Sequence, residues 1–452
     1  MICQIIIYNI IFVIGLIIVL ILLIIIFIKK EKVKFVKKGW FFLIKVGVFF
    51  GGKSVEHEIS IISMIEATLR LDENKYEIVP IYIAKNGVMY TGEDLLDIEM
   101  YRDMDVLLKR CYKVAVVNDG KKVNVIRVPA PFIGKKIINT IDVAFPIVHG
   151  TNVEDGTIAG FLNLLDIPYV GPDVLASSVG MDKILFKKVL KESGIPVVDY
   201  VSFYSTEYIK DEEKILKEID EKLKYPLIVK PGNLGSSVGI KKVKNKNELD
   251  EAISFAMEFS DRILIENCVG KLKEINCAVL GDVTDTFASE CEEPLLSGEI
   301  LSYTDKYIGE GKTKGGKLGK IGPRKSGKIG ARKGGSGGVN NSMEGKKLPA
   351  DIPNETKEEI QKLAQETFKI LGCSGISRID FLIDEEINKV YVNEINTIPG
   401  ALSWYLFEAS NKKFEDVLDE AISIAIKRHS NREKLTFSYD QNILALTGGI
   451  KR

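Results

Sequence analysis

The sequence predicts a mixed α/β protein: an open parallel α/β domain, then a two-lobed α+β part, behind an N-terminal transmembrane helix. Three observations predict this. From Lys45 onward, short apolar runs alternate with helical stretches, the rhythm of parallel strands joined by crossover helices. In residues 225–240 an apolar run ends in Lys230 and opens into a loop of glycine and serine. Residues 5–28 carry no charge at all, and about 20 apolar residues suffice to span a bilayer.

The apolar run is followed by Lys29, Lys30, Lys32, Lys34, Lys37 and Lys38, with no basic residue before it. The positive-inside rule then puts the bulk of the chain in the cytoplasm, anchored to the inner face of the membrane. A cleaved signal peptide fits less well, because the basic n-region is missing. Translation starting near Leu43 or Ile44 is the alternative, since the enzyme-like pattern begins abruptly at Lys45. Residues 1–44 are therefore set apart as a transmembrane segment with a basic linker.

Composition excludes several classes. The chain has 452 residues, and 62 basic side chains balance 62 acidic ones. Bulk charge therefore predicts no polyanion partner. Six scattered cysteines without a C-x-x-C argue against a disulfide framework or a zinc site. Three histidines are too few for a His-based metal cluster, so a metal site must be oxygen-rich, which favours Mg²⁺.

The elements follow in order. Residues 46–50 read as a strand ending at Gly51-Gly52, and Ser54 as the cap of a helix to about Leu71, with Ile59, Ile62, Ile65 and Leu69 as its buried stripe. Residues 78–83 and 142–148 read as further strands, the second ending at His149-Gly150. A helix starts at Asp182 and stops at Gly194, before Pro196. The expected domains are residues 45–181, 182–266 and 267–452. Residues 309–347 interrupt the last with 13 glycines and nine lysines and cannot bury a core. They hold a duplication: Gly319-Lys-Ile-Gly-Pro-Arg-Lys325 returns as Gly327-Lys-Ile-Gly-Ala-Arg-Lys333. No aromatic residue interleaves these lysines, so no nucleic-acid partner is expected.

Two segments carry chemistry. The strand ending at Lys230 delivers a cation beside Gly235, Ser236 and Ser237, whose bare amides and hydroxyls suit phosphate oxygens. Neither G-x-x-x-x-G-K-[ST] nor G-x-G-x-x-G occurs, so the common phosphate loop and the dinucleotide fold are excluded. Residues 375–384 and 390–396 alternate as strands. A hairpin centred on Ile387 places Asp380 opposite Glu394 and Arg378 opposite Asn396, all on one face. Two carboxylates and an amide there are hard oxygen ligands for Mg²⁺. A salt-bridge ladder with Arg378 is the structural alternative.

Together with Gly51-Gly-Lys-Ser-Val-Glu56-His57, His149-Gly-x3-Glu154-Asp-Gly156, Met181-Asp-Lys183 and Asn396-Thr-Ile-Pro-Gly400, these motifs resemble the D-alanine–D-alanine ligase family of ATP-grasp enzymes. The resemblance runs from about Lys45 to about Ala425. It implies ATP with two Mg²⁺ or Mn²⁺, D-alanine as substrate, and a homodimer. It implies that Lys183 and Lys230 hold ATP phosphates under a lid at Gly235, Ser236 and Ser237, with Lys306 also on the nucleotide. Glu266 would reach the adenine from the hinge, and Glu274 the ribose. Asp380, Glu394 and Asn396 would bind metal. Glu56, linked through Ser236 to Tyr307, would anchor the first substrate's ammonium, with His149 beside it. Arg378 and the Gly400 amide would face the oxyanion. The family has Met-Thr after Pro-Gly, and then a Ser-Leu pair on the second substrate's carboxylate; here Ala401-Leu402-Ser403 follows, and Ser403 is the substitute. Gln is usual where Ala159 stands, the hinge is one residue longer before Glu274, and the insertion after Tyr307 is longer than typical. Tyr307 favours an amine as second substrate; D-lactate or D-serine is the alternative, and a non-catalytic tethered scaffold is a different class.

Overall fold

Period-two alternation with short turns produces three sheets in the computed structural model, which describes residues 43–150, 152–235, 238–295 and 345–438. The expected transmembrane helix, Ser236, Ser237, Lys306, Tyr307 and most of the Gly/Lys-rich segment lie outside the described residues. Among the described residues no helix is long and apolar enough to cross a membrane. Ile44 and Glu73–Glu77 group as a small unit of their own, in which the Ile44 amide donates to the Lys75 carbonyl at 2.9 Å. Everything that follows concerns the second unit, Lys45–Asp72 and the chain from Ile78.

The first sheet contains β1 (Ile44–Gly51), β2 (Tyr76–Ile83), β3 (Met89–Thr91), β4 (Tyr112–Asn118), β5 (Val123–Arg127), β6 (Ile137–Ile141) and β7 (Val143–Ile147), in the order β6-β5-β4-β3-β2-β1-β7. Strands β1 and β7 pair in parallel, as expected. The open parallel sheet itself is corrected, because β2 to β6 pair successively antiparallel. The connections from β2 to β3, β4 to β5 and β5 to β6 hold no helix among the described residues, and neighbours in sequence then fold back on one another.

The helix after β1 is His57–Arg70, and its phase also departs from expectation. It buries Ser60, Ile61, Ser63, Met64, Ile65, Ala67 and Thr68, while Ile62 and Leu69 are about half exposed. Small residues let the helix approach its neighbours closely, and that packing outweighs the larger side chains of the expected stripe. Ser54 is not the cap residue. Its hydroxyl accepts from the Glu56 amide at 2.9 Å and donates to the His149 carbonyl at 2.7 Å.

The second sheet runs β10-β9-β11-β8, from β8 (Tyr200–Tyr204), β9 (Leu227–Pro231), β10 (Lys241–Val243) and β11 (Arg262–Asn267). One face, with Val201, Phe203, Leu227, Val229, Ile263 and Ile265, packs on helices Glu212–Lys222 and Leu249–Met257. Strand alternation turns Lys230 and Glu266 to the other face.

The third sheet runs β14-β13-β12-β15-β16, from β12 (Leu272–Gly281), β13 (Thr286–Pro294), β14 (Lys346–Lys347), β15 (Gly375–Asp384) and β16 (Lys389–Asn396). Its apolar face, with Ile275, Cys277, Val279, Ile379, Phe381, Val390 and Val392, covers Ile360, Leu363, Ala364 and Phe368 of helix Asn354–Ile370. Phe186 and Leu190 of helix Lys183–Glu192 join this same core. That helix begins as expected: Asp182 is its N-cap, accepting from the amides of Ile184 and Leu185 at 3.1 and 2.8 Å.

Candidate active site

The hairpin of β15 and β16 pairs Asp380 with Glu394 and Arg378 with Asn396, the register expected for the site. Nearer the turn the register differs by one, Phe381 facing Val392 and Asp384 facing Lys389. Strict alternation would put Glu394 and Asn396 on the face of Val390 and Val392, in the apolar core. A bulge between the two registers prevents this. It returns Ile395 to the core and turns Glu394 and Asn396 to the polar face.

On that face each metal-type carboxylate is engaged by a cation of the chain. Arg378 donates from Nε and Nη2 to the two oxygens of Asp380, both at 2.7 Å. The Asn396 amide nitrogen donates to Asp380 Oδ2 at 3.0 Å, which directs the amide oxygen away from Asp380. Lys183 Nζ lies 3.1 Å from Glu394 Oε2 and donates to the Leu234 carbonyl at 2.9 Å. Lys183 thus sits between the carboxylates and the loop at Gly235. Burial opposes the charge of Arg378, but Asp380 outweighs it and keeps the guanidinium ionised. Glu274 and Asn276 lie along β12 on the same face, Asn276 directly opposite Asp380.

The Lys230 ammonium contacts Glu266, whose other oxygen lies 2.6 Å from Lys187 Nζ. Burial alone would raise the Glu266 pKa, but Lys187 and then Lys230 hold it down at about 2. Its carboxylate is held between these two lysines. Sequence reading missed Lys187. The signal was its place one helical turn after Lys183, on the same face.

The His149 Nδ1 lies 2.8 Å from the Ile398 carbonyl and its Nε2 2.9 Å from the Ser63 hydroxyl. Both ring nitrogens meet protein groups, and burial lowers the pKa. Ser403 is fully buried, at 0 % exposure, and its hydroxyl has no partner among the described residues. Ala401, Leu402 and Ser403 all have positive φ, 49°, 51° and 50°, a left-handed turn costing about 1–2 kcal/mol per residue. Beyond it the Tyr405 hydroxyl donates to Glu292 at 2.8 Å, and Lys346 lies 3.2 Å from the other Glu292 oxygen and over the Tyr405 ring. Glu56 is nearly buried at the mouth of the helix His57–Arg70.

Comparison with known proteins bears on this arrangement directly. Residues 45–172 match the family model of the D-ala D-ala ligase N-terminus, and residues 189–318 and 339–423 that of the C-terminus. The chain belongs to the D-alanine–D-alanine ligase family. The gap between the two C-terminal matches contains the duplicated Gly-Lys-Ile-Gly units. A D-alanine–D-alanine ligase of Thermosipho melanesiensis is 38% identical over 90% of this chain and 100% of its own length. One of Caldicellulosiruptor bescii is 39% identical over 88% and 99%. Among solved structures, the D-alanine-D-alanine ligase from Coxiella burnetii has a TM-score of 0.68 at 30% identity, covering 87% of this chain and 96% of that one. The VanG D-Ala:D-Ser ligase from Enterococcus faecalis has a TM-score of 0.67 at 32% identity, covering 85% and 99%.

Proposed function

We propose that this ATP-dependent ligase joins two D-alanines into D-alanyl-D-alanine through a D-alanyl phosphate, for peptidoglycan precursors. The convergence of Lys183, Arg378, Asp380, Glu394 and Asn396 on one sheet face carries the reading. The donor set fits Mg²⁺: two carboxylates and an amide oxygen are hard ligands. Bound there with ATP, two Mg²⁺ would supply charge neutralisation for phosphoryl transfer. The chain's own residues do the rest. Lys183 and Lys230, which contact Glu394 and Glu266, would hold the phosphate oxygens of ATP. Gly235, with Ser236, Ser237 and Lys306, closes on the nucleotide, and Glu274 faces its ribose. Glu56 holds the ammonium of the first D-alanine. Arg378 and the Gly400 amide face the carbonyl oxygen as it takes up charge when the second amine attacks. The direct test is ADP formation that requires D-alanine and is not supported by L-alanine.

The likeness to a D-Ala:D-Ser ligase keeps D-serine as a second reading for the acceptor; both acceptors react through an amine, so product identification separates them. Tyr307→Phe is expected to lower dipeptide formation about tenfold or to relax acceptor choice, through loss of one hydrogen bond to the lid. Removing one eight-residue repeat at residues 327–334 should leave turnover and melting temperature nearly unchanged, since halving a loop changes its closure cost by only about 0.6 kcal/mol. Turnover lost on the deletion but kept in Tyr307→Phe would overturn the lid reading. For residues 5–28 the membrane tether stays a proposal, as do the homodimer and the three domains. A chain starting at Leu43 should be fully active and absent from the membrane fraction.

A further inference from the structure

Several hydrogen bonds tie residues 398–401 to the turn that closes β7. The half-buried Glu154 carboxyl accepts from the Gly150 amide at 2.7 Å and from the Ile398 amide at 3.4 Å. His149 holds the Ile398 carbonyl, and the Ser63 hydroxyl accepts from the Ala401 amide at 2.9 Å while contacting His149 Nε2. Gly400, whose amide would face the reacting carbonyl, lies between these fastened positions. From this geometry we infer that Glu154 is a positioning residue, a strut that sets the height of the Gly400 amide over the substrate carbonyl. The inference rests on the ligase reading above.

A carboxyl is an expensive choice for a purely structural strut. It is half-buried, no cation among the described residues forms an ion pair with it, and both of its donors are backbone amides. Burial, and then the charge of Glu56, push its pKa up to about 8, against the pull of the Gly150 and Ile398 amides and of Arg378. The charged and titratable groups facing it are Glu56 from the mouth of the first helix, His149 on its own turn and Arg378 from β15. Near neutrality Glu154 is therefore the uncharged acid beside Glu56. Once Glu154 ionises, two carboxylates repel across the turn and the strut loosens.

The test uses the full chain with Glu154→Ala and Glu154→Gln, read by steady-state kinetics and by hydrogen exchange of the peptide containing Ile398 and Ala401. Glu154→Ala is expected to lower kcat on the order of 10²-fold with the KM for ATP within about twofold, and to speed exchange at Ile398. Glu154→Gln keeps one of the two acceptor oxygens and removes the titratable proton. It should stay within about fivefold of the parent and lack the parent's alkaline fall in kcat near pH 8. A Glu154→Ala enzyme with kcat within about threefold of the parent and unchanged exchange overturns the inference. So does a Glu154→Gln enzyme as slow as Glu154→Ala. If the alanine variant does not fold, the glutamine profile decides: an unchanged alkaline fall counts against Glu154. Absence of D-alanine-dependent ADP formation in the parent would instead sink the ligase reading, while the exchange result would still test the strut.

Discussion

Replacing Asp380 with asparagine, or Glu394 with glutamine, is expected to lower kcat on the order of 10³-fold, about 4 kcal/mol of transition-state stabilisation, because Mg²⁺ loses a charged ligand. The two variants should part company in stability. Asp380 holds the Arg378 guanidinium by two hydrogen bonds of 2.7 Å in a largely buried setting. Its loss leaves a buried cation uncompensated, which costs about 3 kcal/mol or more. Glu394 and Lys183 keep 23% and 11% of their side-chain surface, and Lys183 retains the Leu234 carbonyl. Glu394→Gln should therefore unfold at nearly the parent's urea concentration. Turnover close to the parent's at low Mg²⁺ in both variants would remove the hairpin from the metal site.

Glu266→Ala is expected to be the most destabilising single change in the central lobe. It leaves Lys187 and Lys230, with 0% and 8% of their side-chain surface exposed, facing each other without a counter-charge. Breaking a buried pair in this way costs about 3–5 kcal/mol. The pH dependence follows from the depressed pKa. With the folded-state value at about 2 and the ordinary carboxylate value at 4.5, the contribution of Glu266 is complete above pH 4.5. It is lost as pH falls toward 2, where the folded protein must also take up the proton. Urea unfolding of parent and variant should therefore differ most near neutrality and converge in acid. A difference below about 1 kcal/mol at neutral pH would mean that the lysines find other partners.

How far the sequence could be read depended on the range of the interaction. The pairing of Asp380 with Glu394 was legible because it is set by a hairpin a few residues long. The bulge that makes this pairing compatible with the core at Val390 and Val392 was not, since it answers to packing on the opposite face. The Asp182 cap was legible for the same local reason. The lysine pair around Glu266 was not legible because Lys187 and Lys230 come from a separate helix and strand. The His149 contact was not legible because its ring meets a carbonyl 249 residues away. The helix His57–Arg70 is apolar on more than one side, so its pattern left the buried face open, and Ser60, Ser63 and Ala67 settled it by close packing. The antiparallel half of the first sheet was missed because β3 to β6 are short and their alternation is irregular.

The central claim is most directly tested by identifying the product. The full chain is supplied with ATP, Mg²⁺ and D-alanine, alone and with equimolar D-serine or D-lactate, and the products are resolved by mass against ADP formed. D-alanyl-D-alanine in equal amount to ADP, and still the main product when either competitor is present, is the predicted result. ADP formed without any dipeptide, or D-alanyl-D-serine or D-alanyl-D-lactate as the main product, would contradict it.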